Sequence, residues 1–200
     1  MSNKASWHSS SVTSIDRARL LHQSPMTVWL TGLPGSGKST LAFELELRMH
    51  RLGHACYVLD GDRVRHGLNR DLSFTPADRA ENIRRVAEVS RLFNDAGLIA
   101  ITAFIAPYAK DREVARDIIG PERFLETYLT ANLATCERRD PKGLYAKARA
   151  GQIADFTGVS APYEVPANPA LALDTASRSV EACIQDLLVF LSVPVRQGKA

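Results

Sequence analysis

Gly32-Leu33-Pro34-Gly35-Ser36-Gly37-Lys38-Ser39, followed by Thr40, spells G-x-x-x-x-G-K-[ST] at every fixed position. That spacing suits a phosphate cradle. Glycines let successive backbone N–H groups converge on phosphate oxygens where a side chain would block approach. A helix opening near Lys38 adds its positive dipole end. Lys38 is then placed to reach β and γ phosphates, and the Ser39 hydroxyl is available to Mg²⁺. The N-K-x-D signature that reads guanine is absent, which favours ATP as the nucleotide. Three classes stay open on these residues alone: a small-molecule kinase, a nucleotide-driven switch, and a nucleotide-binding module without turnover.

A second group of chemistry-bearing residues follows in L-D-G-D-R-V-R-H-G-L, residues 59–68. Two carboxylates, Asp60 and Asp62, stand at the end of an apolar run. One can help organise hydrated Mg²⁺ while the other accepts a hydrogen bond from an attacking hydroxyl. Capping of a following helix is the other use of Asp here. Phe74, Arg79 and Asn82 come next. Arg79 and Asn82 are three apart and share a helix face, so together they could hold an anion and a planar ring, although an ordinary charged helix has the same pattern. Between 138 and 149, Arg138, Arg139, Lys142, Lys147 and Arg149 stand against Asp140 alone, which is either a solvated helix face or part of an anion site.

These groups must be positioned by regular elements. Apolar runs at 26–31, 55–59, 98–105, 124–129 and 171–174 read as strands. Helical patterns fall at 38–51, 77–96, about 111–119 and about 179–191, with Gly97 closing the second. Runs that are apolar throughout and separated by helices indicate a parallel sheet covered on both faces. In such a sheet ligands bind beyond the carboxyl ends of the strands, where Asp60 and Asp62 fall. The connection 136–169 is long and rich in Gly, Pro and charge, as lids are. Residues 1–25 read as a tail or loosely docked arm.

Composition narrows the classes further. Two hundred residues, 45% hydrophobic and 24% charged, give one domain with a real core, over 26–195, and no room for an appended second catalytic domain. Lys and Arg exceed Asp and Glu by 25 − 22 = 3, too little for a nucleic-acid-coating surface. The expectation is a soluble cytoplasmic protein with neither a membrane span nor a secretory leader. Cys56, Cys136 and Cys183 lack the spacing of a disulfide framework or zinc site and read as reduced, packed thiols.

The sequence resembles the adenylyl-sulfate (APS) kinase family over nearly its whole length. The resemblance is carried by GLPGSGKST (32–40), LDGDRVRHGLNRDLSF (59–74), DRAENIRRVAEVSRLFNDAGL (78–98), TAFIAPYAKDR (102–112), ERRDPKGLYAKARAGQIADFTGVSAPYE (137–164) and the initial WHSSSVT. It implies a P-loop kinase-type α/β three-layer sandwich with a mainly parallel five-stranded sheet and a mobile lid at about 137–165. It implies ATP-dependent phosphorylation of the ribose 3′-hydroxyl of adenosine 5′-phosphosulfate, giving 3′-phosphoadenosine 5′-phosphosulfate and ADP in sulfate activation. Another small-metabolite kinase and a non-catalytic nucleotide sensor are the alternatives. By resemblance, residues 32–40 bind ATP, and Lys38, Asp60 and Asp62 are catalytic, with Ser39 and Asp60 toward Mg²⁺. Asp62, Arg65, Phe74, Arg79, Asn82, Ile105, Lys142 and Phe156 bind the acceptor, Phe74 and Phe156 sandwiching its adenine. A homodimer is implied too. Three positions depart from the family. Ala106 replaces the Ser of F-I-S-P-Y, a position described as a phosphoserine intermediate, so direct in-line transfer is expected here. Arg63 follows D-G-D where Asn is common, and Ala109 stands where a basic residue is frequent.

Overall fold

β1 (Thr27–Thr31) is buried at all five positions, because it lies in the middle of a sheet covered on both faces. The computed structural model describes residues 10–191. β2 (Cys56–Asp60), β3 (Ile99–Ala103), β4 (Phe124–Leu129) and β5 (Leu171–Leu173) join β1 in the order β2-β3-β1-β4-β5. All four pairings are parallel, and the register sets Leu30 opposite Ala103 on one side and Thr127 on the other. The chain's progress across the sheet reverses beside β1, which opens a crevice beyond its carboxyl end.

Alternation along β1 feeds two cores. Val28 and Leu30 face a cluster completed by Leu41, Leu45 and Met49 of α2 (Lys38–Arg51) and Ile184 and Leu187 of α8 (Val180–Phe190). Trp29 faces the other side, with Ile83 and Val86 of α4 (Pro76–Asp95) and Ala115 and Ile119 of α5 (Ala109–Ile119). The result is the three-layer α/β sandwich that the apolar runs predict. Thr75 caps α4, its side chain accepting from the Asp78 N–H, and fixes the turn from which Arg79 and Asn82 project.

Four short helices escape the periodicity argument. α1 (Ser14–Leu21) is closed by a capping box between Thr13 and Asp16. It does not hang loose: the Gln23 amide donates to Ala55 O at 2.8 Å and Gly97 O at 2.7 Å and accepts from Ala55 N–H at 2.9 Å. The stretch read as a tail is therefore docked from residue 14 onward, because its capping and its Gln23 bonds are local signals that hydrophobic periodicity does not register. Trp7, His8 and the end of the predicted domain at 192–195 lie outside the described residues.

The other three are α3 (Gly61–His66), α6 (Leu133–Arg139) and α7 (Leu144–Arg149). The last two lie in the long connection between β4 and β5. There Ala131, Cys136, Tyr145, Ala148 and Phe156 form a third apolar cluster, against which Leu33 of the glycine-rich loop packs.

Candidate active site

The glycine-rich loop turns because its glycines can adopt what other residues resist. Gly35 has φ 75°, and a Cβ there would stand 3.0 Å from Cys136 O, so the loop can seat against α6 only with glycine at this point. Gly37, at φ 96°, caps α2 and aims the first turn of that helix into the crevice. Lys38 is the first residue of α2 and only 8% exposed. Its ammonium donates to Leu33 O at 2.8 Å, Gly32 O at 3.0 Å and Ser36 Oγ at 3.4 Å. Burial pushes its pKa down to about 8, against the pull of the Asp60 and Asp62 carboxylates.

At the end of β2, Asp60 performs both of the tasks that its sequence position allows. Its Oδ1 accepts from the N–H groups of Asp62 and Arg63 and caps α3, while its Oδ2 accepts from the Ser39 hydroxyl at 2.7 Å. A hydroxyl and a carboxylate thus share one point beside the phosphate loop. Among the described residues no group of three or more His, Cys, Asp or Glu is gathered as a metal cage. Such a donor set fits Mg²⁺ held largely by phosphate oxygens and water, the habit of that ion in kinases.

The crevice is a cavity of about 750 Å³. Its phosphate end is lined by Pro34 to Thr40 and by Asp60. The same cavity is lined by Asp62, Arg65, Phe74, Arg79, Asn82 and Ile105, and by Lys142. Seven of the eight residues expected around an acceptor therefore line this one cavity. The Arg65 guanidinium lies 4.3 Å from the Phe74 ring centroid and that of Arg79 lies 5.7 Å away, so two cations flank one exposed ring. Burial and the neighbouring Arg79 charge lower the Arg65 pKa. Asn82 is buried, and its Oδ1 accepts from Asn69 at 2.9 Å. The Lys142 ammonium reaches across from the 136–169 connection and pairs with the Asp62 carboxylate.

Phe156 differs from the expectation. It is 8% exposed, is absent from the cavity wall, and meets Tyr145 edge-on with centroids 5.0 Å apart. Burying an aromatic ring in the connection's own apolar cluster is worth roughly 2–3 kcal/mol, and the ring follows that gain. Its neighbours stay close to the acceptor wall, since Arg79 donates to Asp155 O at 2.8 Å and to Thr157 Oγ1 at 3.3 Å. Gly32 and Leu33 are likewise off the wall, their carbonyls engaged by Lys38. Arg63 turns away from the carboxylates onto Phe43, 4.6 Å from its ring centroid. None of Ala109, Lys110 and Arg112 lines the cavity.

Beside Arg139 of the basic stretch, sequence reasoning missed the wall formed by Thr175, Arg178, Ser179, Val180 and Cys183. Thr175 donates to Ser36 O at 2.8 Å, and Arg139 bonds to Gly35 O at 3.5 Å and to Thr175 O. The signal was present: the segment after β5 leaves the carboxyl edge of the same sheet that places Asp60 and Asp62. Tyr145 was missed as well. Its hydroxyl donates to Pro34 O at 2.9 Å, and burial raises its pKa, so it stays a donor.

A parallel sheet with a Lys-bearing phosphate loop at its crevice, and a basic connection bridging to a second wall of anion-binding groups, defines a P-loop phosphotransferase acting on a small acceptor. The adenylylsulphate kinase family model matches residues 24–174. An adenylyl-sulfate kinase of Clostridium kluyveri is 50% identical over 98% of this chain and 98% of its own, and one of Prochlorococcus marinus is 53% identical over 91% and 90%. The Mycobacterium tuberculosis APS kinase CysC, solved in complex with AMPPNP and APS, superposes with a TM-score of 0.82 at 47% identity, covering 84% of this chain and 98% of that one. The chain belongs to the adenylylsulphate kinase family. Its reaction is ATP-dependent phosphorylation of adenylyl sulfate.

Proposed function

We propose that the transfer runs directly, in line, from the γ phosphorus of ATP bound at residues 34–40 to the ribose 3′-hydroxyl of adenosine 5′-phosphosulfate held on the Phe74 wall. The observation that carries this reading is that the phosphate loop and Asp62, Arg65, Phe74, Arg79 and Asn82 line one and the same cavity. Asp62 orients the hydroxyl and accepts its proton. Arg65, Arg79 and Asn82 hold the phosphosulfate and ribose end, and Phe74 stacks on the adenine. Lys38 leaves the loop carbonyls for the β and γ oxygens and stabilises charge on the group in transit. Ser39 and Asp60 would hold Mg²⁺, which supplies charge neutralisation between the β and γ phosphates when bound. Holding two reactants in line replaces a bimolecular encounter by a positioned one, where most of the rate comes from in such transfers.

Phe156 joins this site only if its ring leaves Tyr145, a rotation of the 155–157 segment that acceptor binding would have to drive. A cytoplasmic homodimer completes the proposal, and sedimentation velocity reads its mass. The deciding experiment is ADP release with ATP·Mg²⁺, with and without adenosine 5′-phosphosulfate, against sugars and nucleosides as rival acceptors. Strong stimulation by adenosine phosphosulfate alone is expected. Release that ignores it, or that sugars stimulate equally, rejects the reading.

A further inference from the structure

Three consecutive carbonyls of the acceptor wall are each held by a different part of the fold. Ile105 O accepts from the Thr31 hydroxyl of β1 at 2.6 Å. Ala106 O accepts from Arg112 Nη1 of α5 at 2.8 Å. Pro107 O accepts from the Glu164 N–H at 2.8 Å, on the segment returning from the 136–169 connection. Between them Ala106 is kept at φ 43°, a left-handed conformation that costs a residue with a Cβ about 1–2 kcal/mol and persists only where the surroundings over-determine it.

Arg112 is the centre of this arrangement. It is 4% exposed, and its Nε donates to Glu126 Oε1 at 2.7 Å. That one carboxylate balances the buried charge. The remaining fork is spent on geometry: Nη1 on Ala106 O, and Nη2 on Glu164 O at 2.8 Å. Glu164 closes the loop, its Oε2 accepting from the Ala109 N–H at 2.7 Å. Tyr163, whose ring centroid lies 5.9 Å from the guanidinium, bonds through its hydroxyl to Thr31.

We infer that Arg112, with Glu164, is a positioning residue for the transfer: it fixes the Ile105–Ala106 wall and the returning root of the connection in one register, and so sets acceptor placement without touching acceptor. The inference rests on the function proposed above. The planar fork spreads its donors at fixed separations over Glu126 Oε1, Ala106 O and Glu164 O, a spread that the single nitrogen of an ammonium does not reproduce, so Arg112→Lys keeps the charge beside Glu126 and loosens the wall.

The test compares the full-length wild type with Arg112→Lys and Ala109→Pro. The second variant deletes the N–H given to Glu164 at the first residue of α5, where proline is accommodated; Tyr108 before it, at φ −99° and ψ 131°, already has a pre-proline conformation. For Arg112→Lys, kcat/KM for adenosine phosphosulfate should fall about 10–100-fold while the KM for ATP stays within about threefold. The Glu164 amide should exchange at least about tenfold faster. Ala109→Pro should raise the acceptor KM about threefold or more with no loss in Tm. Equal losses for both substrates, or faster exchange with unchanged acceptor constants, overturn the positioning role. A wild type without acceptor-stimulated turnover overturns instead the function on which it rests.

Discussion

Lys142 and Asp62, eighty residues apart in the chain, meet as an ion pair that ties the 136–169 connection to the far wall of the crevice. Their side chains are 57% and 66% exposed, and exposed pairs contribute at most about 1 kcal/mol to stability. The pair therefore contributes little to the fold and leaves both side chains free for the acceptor roles proposed above. Lys142→Ala should lower Tm by no more than about 4 °C, the shift that 1 kcal/mol produces in a chain of this size. Loss of a charge-assisted contact to the acceptor should cut kcat/KM for adenosine phosphosulfate about 10–100-fold. Calorimetry beside an ADP-release assay measures both; a large Tm loss with unchanged kinetics would reverse the assignment.

Lys38 separates stability from activity more sharply still. Its ammonium is buried with its pKa at about 8, below the ordinary 10.5, so the unfolded chain binds more protons between those values. Folding stability should therefore rise as pH goes from about 8 to about 10.5, with the penalty of the buried charge fully present below 8. Lys38→Met should abolish that rise and not lower stability at pH 7, as read from urea midpoints at several pH values. Turnover should nevertheless fall about a thousandfold, since about 4 kcal/mol of transition-state stabilisation is lost at 1.36 kcal/mol per factor of ten. A loss under tenfold removes Lys38 from the chemistry.

The sheet and its covering helices were legible because continuous apolar runs, and apolar residues four apart such as Leu41, Leu45 and Met49, are consequences of burial on known faces. The phosphate loop was legible because Gly35 and Gly37 are demanded by the backbone itself. α1, α3, α6 and α7 were not, since eight residues or fewer carry too little periodicity, and their signals are single caps such as Thr13, Asp60 and Asn132. Which way a side chain turns in a long connection was also illegible. The motif that contains Phe156 fixes its place along the chain, whereas its ring direction depends on Tyr145 and Ala148, which only the folded connection brings together.

The two rings that family resemblance pairs should accordingly respond differently to truncation. Phe74 is 59% exposed beside Arg65 and Arg79, whereas Phe156 is 8% exposed within the third cluster. Phe74→Ala should raise the acceptor KM about tenfold, the worth of a stacking contact of 1–2 kcal/mol, with little change in Tm. Phe156→Ala should destabilise by about 3 kcal/mol, appearing as faster amide exchange across residues 131–159 ahead of global unfolding. If Phe156→Ala leaves exchange untouched and only raises the acceptor KM, its ring belongs to the binding wall after all.

Ala106 decides whether a covalent relay is available. Ala106 is among the residues that line the cavity, at the position where the family resemblance implies a serine, and its carbonyl is tied to Arg112. With no side-chain oxygen at that point, the direct transfer proposed above is the expected route, and a single in-line displacement inverts the configuration at phosphorus. Incubation with γ-labelled ATP and no acceptor should leave no acid-stable label on the protein, and a chiral γ-phosphoryl donor should yield inverted product. Label retained on the wild-type chain at catalytic rates, or retention at phosphorus, would require a nucleophile elsewhere in the cavity. Ser36 is an unsuitable one, wholly buried with its Oγ on Lys38. Ser39 has its hydroxyl committed to Asp60. Both commitments accord with the direct transfer proposed above.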